Sequence, residues 1–156
     1  MLSCKACPTP CKPHTKFLKN DGEPMSDPTL FQSLVGALQY LTFTRPDIIF
    51  VVNYACQFMS NPSKLHFTMV KRILHYLQGT VECGLTYSAA HNMEFLAFND
   101  ADWASDITTK HSTTGFVIFL GPNPVSWQSK KKGSVFWSFT EAEYKALAQD
   151  AAELLS

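Results

Sequence analysis

Gly115-Phe116-Val117-Ile118-Phe119-Leu120, then Gly121-Pro122-Asn123-Pro124, then Val125-Ser126-Trp127-Gln128-Ser129, decide how the second half of the chain is read. The first run is β-branched and aromatic, lies just before turn-forming residues, and predicts a strand. The Gly-Pro-Asn-Pro stretch predicts a turn, and the third run a further strand. Upstream, residues 84–88 and 93–98 read as short β-like runs around Ala90-His91-Asn92. Downstream of Lys130-Lys131-Lys132, residues 135–137 read as a short extended piece. Residues 141–155 predict a closing helix, with Thr140 as N-cap, Glu143 in the capping-box position, and Tyr144, Leu147 and Ala151 on its apolar side.

The first half follows a different period. Residues 1–27 are rich in Pro, Lys and polar side chains and read as an extended linker. Asp27-Pro28 is a helix start, and Leu30, Leu34, Val35, Leu38 and Leu41 then recur at helical spacing, predicting a helix over about residues 28–43. A second apolar stripe runs from Ile48 to Met59 after Pro46 and stops at Asn61-Pro62. A third helix, residues 64–78, turns Leu65, Met69, Val70, Ile73, Leu74 and Leu77 inward and is capped by Gly79. The layout is α+β: an extended linker (1–27), a helical segment (28–80) and a β-rich segment closed by one helix (81–156).

With 46% hydrophobic and 17% charged residues the chain is globular in composition, and 156 residues suffice for a real core. Thirteen basic and thirteen acidic residues cancel, so global charge gives a nucleic-acid binder no support. Local charge is uneven: Lys130, Lys131 and Lys132 form one run, and Lys64, Lys71, Arg72 and His75 cluster on another segment. No stretch reaches the roughly 18 apolar residues of a membrane span. Five cysteines without a secretory signal point to a reducing compartment, cytoplasmic or nuclear. Residues 1–20 lack acids, as organelle transit peptides do, but hold no Arg and three prolines, so a mitochondrial address is only weakly indicated. Cys4, Cys7, Cys11 and His14 offer four zinc ligands, but the three prolines and the absence of a supporting core argue against a closed tetrahedral site.

Two acidic clusters carry the chemistry. Phe98-Asn99-Asp100-Ala101-Asp102-Trp103 ends a strand, and Thr140-Glu141-Ala142-Glu143-Tyr144 starts a helix. Hard cations prefer oxygen ligands, so carboxylates at a strand end and on a nearby helix suit a magnesium-dependent nuclease. Acids at a turn or in a first helical turn are equally ordinary dipole and turn chemistry. Lys130, Lys131, Lys132 and Trp127 suit phosphate neutralisation and base stacking, or else a solvated loop beside core aromatics.

The runs Ser33-Leu34-Val35-Gly36-Ala37-Leu38-Gln39-Tyr40-Leu41-Thr42, Thr44-Arg45-Pro46-Asp47-Ile48, Val70-Lys71-Arg72-Ile73-Leu74, Tyr76-Leu77-Gln78-Gly79-Thr80, Asp100-Ala101-Asp102-Trp103-Ala104 and Thr140-Glu141-Ala142-Glu143-Tyr144 resemble the pol polyprotein of plant copia-type retrotransposons, in the family's order. The resemblance implies a helical connection following reverse transcriptase, then a truncated ribonuclease H-like fold of antiparallel strands plus the first helix. It implies cleavage of the RNA strand of an RNA–DNA hybrid with two Mg²⁺ ions, with Asp100 and Glu143 as catalytic metal ligands. Asp102 is implied in a supporting role, and Glu141 as a capping or surface residue.

The resemblance also implies two further carboxylates beyond Ser156 and a polymerase site upstream of Met1. The expectation is therefore weak Mg²⁺ binding and no catalysis by this chain alone, because Mg²⁺ gives up its waters reluctantly. A non-catalytic binding or scaffold protein, whose partner covers the open sheet edge, is the alternative. Trp137 and Phe139 stand where the family has polar or small residues, Ser105 where it has Gly, and His111 where it has Arg. These departures suggest a decaying copy.

Overall fold

The computed structural model describes residues 5–12, 17–18, 21–89, 93–103 and 109–155. Cys4, His14, the Ala90-His91-Asn92 turn and Ser105 lie outside the described residues. The chain forms two compact units, Met1–Leu85 and Thr86–Ser156.

The first unit is helical. Helix α1 (Thr29–Leu41) buries Phe31, Val35 and Leu38 at four- and three-residue steps. Asp27 accepts the Thr29 backbone N–H at 2.9 Å across Pro28, which stands at the N-cap position of the helix. Arg45 leaves the helical region before Pro46 (φ −130°, ψ 75°), which separates α1 from a short 3₁₀ turn (Pro46–Ile48) and α2 (Ile49–Cys56). Helix α3 (Lys64–Gly79) contributes Met69, Val70 and Ile73 to the same core as Val51, Val52, Ala55 and Phe58. Burying each such Val, Ile, Met or Phe stabilises the unit by roughly 1.5–3 kcal/mol relative to leaving it exposed.

Two expectations for α3 need correction. His66 is fully buried while Leu65 is 39% exposed, because Ser63 and His66 form a reciprocal capping box that rotates the imidazole inward. Gly79 is the last helical residue and not a left-handed cap beyond it. Its missing Cβ serves a close approach: a Cβ there would lie 2.7 Å from the Cβ of Ala6.

Among the described residues up to Met25 none is helical, yet several are tied to the bundle. Tyr54 Oη accepts the Phe17 N–H (2.7 Å) and donates to the Phe17 carbonyl (3.0 Å). The Met25 N–H donates to the Pro62 carbonyl, the Lys64 N–H to that of Glu23, and the Cys7 N–H to that of His75.

In the second unit β1 (Phe95–Asp102), β2 (Thr113–Leu120) and β3 (Asn123–Lys131) form an antiparallel sheet in the order β1-β2-β3. With four α-helices and this sheet the described fold is mixed α+β. The β2–β3 turn is only Gly121-Pro122, with Gly121 at φ +57° and the ring of Pro122 fixing the second φ, a type II′ arrangement. Asn123 and Pro124 are therefore strand residues. Pro124 has no N–H for the ladder, and the register shifts between Ile118 and Phe119, opposite this end of β3.

Residues 84–88 and 135–137 are not strands. The Asn123 side-chain amide takes the place of a ladder for Ser88, accepting its N–H and donating to its carbonyl, both at 2.8 Å. Helix α4 (Phe139–Leu155) packs on β1, where Ala142 and Ala146 meet Ala101 and Phe136. Tyr144, expected on the packed side, is 69% exposed. The cap also differs: Ser138 Oγ accepts the Glu141 N–H (3.1 Å) and Glu141 Oε2 accepts the Trp137 N–H (2.8 Å).

Candidate functional site

Cross-strand register and alternation sort the candidates by face. Ala101 meets α4, so its neighbours Asp100 and Asp102 point to the opposite face of the sheet, with Leu96 and Phe98. Asp100 pairs across β2 with Gly115, which pairs with Ser129 of β3. Asp102 stands in a row with Thr113 and Lys131, and Phe98 in a row with Val117 and Trp127. One face thus carries Asp100, Asp102, Trp127 and Lys131. The β1 and β3 rows lie about 10 Å apart, two strand spacings. Gly115 places no side chain beside Asp100, leaving a gap between the carboxylate and Ser129.

Lys130 sits in the row of Ala101 and Thr114, so alternation places it on the α4 face, away from Lys131. Lys130 and Lys131 are strand residues and not a loop. Lys132 follows the strand and donates its backbone N–H to the Ser112 carbonyl at 2.8 Å.

Glu143 is exposed on α4, one residue after the buried Ala142. Packing of α4 on β1 makes its helix a neighbour of the strand that carries Asp100, but that helix covers the Ala101 face and not the Asp100 face. Glu141 is occupied by the cap and by Lys145, whose Nζ lies 2.7 Å from its Oε1. Donation from Lys145, then from the Trp137 N–H, holds its carboxyl below the ordinary value. Glu141 is thereby a structural acid, and Glu143 is outside the cap.

The donor set matches magnesium in kind, since both side chains offer carboxylate oxygens, but not in number. Among the described residues no group of three or more His, Cys, Asp or Glu is placed to hold a metal ion. Cys7 and Cys11 are free thiols.

Sequence reasoning missed one polar network. Arg45, only 6% exposed, binds Asp47, the Thr80 carbonyl and the Thr80 hydroxyl, while the Tyr76 hydroxyl donates to Asp47 at 2.7 Å. Two of the motifs noted in the sequence, residues 44–48 and 76–80, therefore meet in space. Nothing in their spacing along the chain announces that contact.

Among the described residues no helix is long and apolar enough to cross a membrane. No family model matches the chain, and no solved structure matches it. It is 42% identical over 154 residues to the retrovirus-related Pol polyprotein from transposon RE1 of Arabidopsis thaliana, a match covering 99% of this chain and 10% of that protein. It is 46% identical over 154 residues to the uncharacterized mitochondrial protein AtMg00810 of the same plant, covering 99% of this chain and 64% of that one. It is 41% identical over 124 residues to secreted RxLR effector protein 161 of Plasmopara viticola, covering 79% of this chain and 87% of that one. The chain thus spans about a tenth of the length of polyproteins such as that of RE1. It belongs to the copia-type retrovirus-related Pol polyproteins of transposons, one segment of which it matches over nearly all its length.

Proposed function

We propose that this fragment joins the helical end of a reverse transcriptase to the start of a ribonuclease H domain, and that Asp100 and Glu143 serve there as ligands for Mg²⁺ in cutting the RNA strand of an RNA–DNA hybrid. The observation that carries this reading is the packing of α4 on β1 through Ala142, Ala146 and Ala101, which makes the strand of Asp100 and the helix of Glu143 neighbours. Bound Mg²⁺ supplies charge neutralisation at the scissile phosphate. Trp127 and Lys131, on the face of Asp100, are the proposed hybrid contacts, with Lys132 just after the strand; Lys130, on the α4 face, lies away from them. Two carboxylates hold Mg²⁺ weakly, so the isolated chain is expected to cleave little or nothing.

The test is hybrid cleavage in Mg²⁺ by a Pol polyprotein containing this segment, beside its Asp100→Asn and Glu143→Gln variants. Loss of cleavage by at least a hundredfold in each supports the roles. Undiminished cleavage by either variant removes that residue from the site.

A second reading, a non-catalytic binding or scaffold protein, is favoured by the relative named as a secreted effector, most of whose length this chain covers. The outer edge of β1 then takes a partner strand, beside the exposed Leu96 and Phe98. Recovery of the full chain in a stable complex from cell extract, through a surface that Phe98→Lys abolishes, separates this reading from the first.

A further inference from the structure

The N-terminal segment runs antiparallel to α3 and is fastened to it at three points. Gly79 admits Ala6 where no Cβ would fit, the Cys7 N–H donates to the His75 carbonyl at 3.2 Å, and Arg72 Nη2 donates to Thr9 Oγ1 at 2.8 Å. The third contact is incomplete. Arg72 Nε is buried and has no hydrogen-bond partner among the described residues. The Nε–H and Nη2–H groups lie on one edge of a guanidinium and form a fork suited to two oxygens of one anion. Thr9 offers that fork a single hydroxyl oxygen, which donates its own proton to the Cys11 carbonyl at 2.9 Å.

Thr9 is exposed and lies in a stretch without helix or strand pairing, between Pro8 and Pro10, whose rings fix φ and leave no N–H to bond. Thr9-Pro10 is the only Ser/Thr–Pro pair in the chain, and Lys12 stands two residues beyond the proline. That is the pattern that proline-directed protein kinases modify. Residues 1–20 contain no Asp or Glu, and neither do residues 48–81, so no carboxylate of the segment or of α3 opposes an added negative charge. We propose that Thr9 is a phosphorylation site for a proline-directed kinase and that the Arg72 fork receives the phosphate. The kinase moves the γ-phosphoryl group of ATP to Thr9 Oγ1: a new P–O bond forms, the β–γ bridge breaks, ADP leaves and the hydroxyl proton passes to the kinase's base. The product carries about −1.5 to −2 charges and three acceptor oxygens, enough to engage both Nη2 and the unpartnered Nε. A single neutral contact becomes a charge-assisted fork, and residues 5–12 are held more tightly on α3. The site uses neither Asp100 nor Glu143, so it stands apart from the cleavage reading.

The experiment incubates the full chain with ATP, Mg²⁺ and a purified proline-directed kinase. Peptide mass spectrometry should locate the phosphate on Thr9, and Thr9→Val should take up none there. Phosphothreonine ordinarily loses its second proton near pH 6, and beside the Arg72 fork it should do so about half a unit lower or more, read by ³¹P titration. Arg72→Gln should return that pKa to the ordinary value. Arg72→Lys, which keeps the charge without the fork, should retain only part of the shift. Trypsin cleavage after Lys12 should slow about threefold or more on phosphorylation of the parent. It should not slow in Arg72→Gln, whose Thr9 carries the same phosphate. An unmodified Thr9, a phosphate that titrates alike in the parent and in Arg72→Gln, or equal protection of the two overturns the proposal.

Discussion

Arg45 and Asp47 lie two residues apart and face each other in a two-point ion pair, Nε to Oδ1 at 2.9 Å and Nη2 to Oδ2 at 2.8 Å. The proline between them turns the chain so that both point toward the end of α3, where the Arg45 guanidinium also donates to the Thr80 carbonyl at 2.8 Å. Removing Arg45 leaves Asp47 with the Tyr76 hydroxyl and without its ion pair, and takes a donor from the Thr80 carbonyl. Arg45→Ala should cost about 2–3 kcal/mol, near the value for hydrogen bonds to a charged group. Lys cannot reproduce a planar fork, so Arg45→Lys should recover less than half of it. Urea unfolding checks this; an Arg45→Ala midpoint equal to the parent's would refute it. Donation from Arg45, ahead of that from Tyr76, holds the Asp47 carboxyl below its ordinary 3.8. That stabilisation is present above pH 3.8 and is lost as pH falls through the lowered value.

His66 titrates in a second window. Its Nδ1 accepts the Ser63 N–H at 3.1 Å, so the proton sits on Nε2, which donates to the Leu18 carbonyl at 3.0 Å. The ring stacks on Phe58 at 3.9 Å and is fully buried. Burial pushes its pKa below 6.5, outweighing the Leu18 carbonyl and the charge of Asp21. The unfolded chain binds the proton more readily, so the contribution is complete above about pH 6.5 and shrinks as pH falls below it. His66→Phe keeps the stacking and abolishes the titration. Its unfolding midpoint should fall less than the parent's between pH 7.5 and 5; parallel declines would refute the assignment.

How much of this was legible in the sequence depends on which contact decides each feature. Leu34, Val35, Leu38 and Leu41 repeat at a local period, so α1 was readable although Phe31 is buried there and Leu30 is exposed, and β2 was readable from its own β-branched run. His66 was not, because a capping box with Ser63 and a partner 48 residues away set its direction. Nor were the face assignments of Lys130 and Lys131, which follow from pairing with β2. Trp137 and Phe139, which stand where the family has polar or small residues, are 94% and 52% exposed. The fold keeps both positions at the surface.

The start of α4 offers a direct comparison. Ser138 holds the cap, while Thr140, the residue expected there, already lies within the helix. Ser138→Ala should destabilise the second unit by about 1 kcal/mol, the usual value of an N-cap hydroxyl. Thr140→Ala should change it by less than about 0.5 kcal/mol. Amide exchange over the first turn of α4 reads the difference, and equal effects would place the cap elsewhere.

Two glycines in helices should respond oppositely to alanine. Gly36 has nothing within 4 Å of a Cβ, so Gly36→Ala should stabilise α1 by up to about 1 kcal/mol. A Cβ at Gly79 meets Ala6 at 2.7 Å. Gly79→Ala should displace residues 5–12 and break the Cys7–His75 bond while the helices stay folded. Limited proteolysis should then cut the N-terminal segment faster in Gly79→Ala and at the parental rate in Gly36→Ala.

The two faces of the sheet differ in what covers them, and substitution should expose that difference. Ile118 is 4% exposed on the face of Ala101, the face on which α4 packs. Phe98 is 59% exposed on the face of Asp100 and meets Phe119 edge-on, ring centres 6.0 Å apart. Ile118→Ala removes fully buried methyl groups and should cost about 2–5 kcal/mol. Phe98→Thr places a β-branched residue in a strand and loses that ring contact, which is worth about 0.5–1.5 kcal/mol. Since the Phe98 ring mainly exposes apolar surface to water, Phe98→Thr should also raise solubility. A larger loss for Phe98→Thr than for Ile118→Ala would mean that the Asp100 face is covered in solution, and would close it to a nucleic-acid substrate.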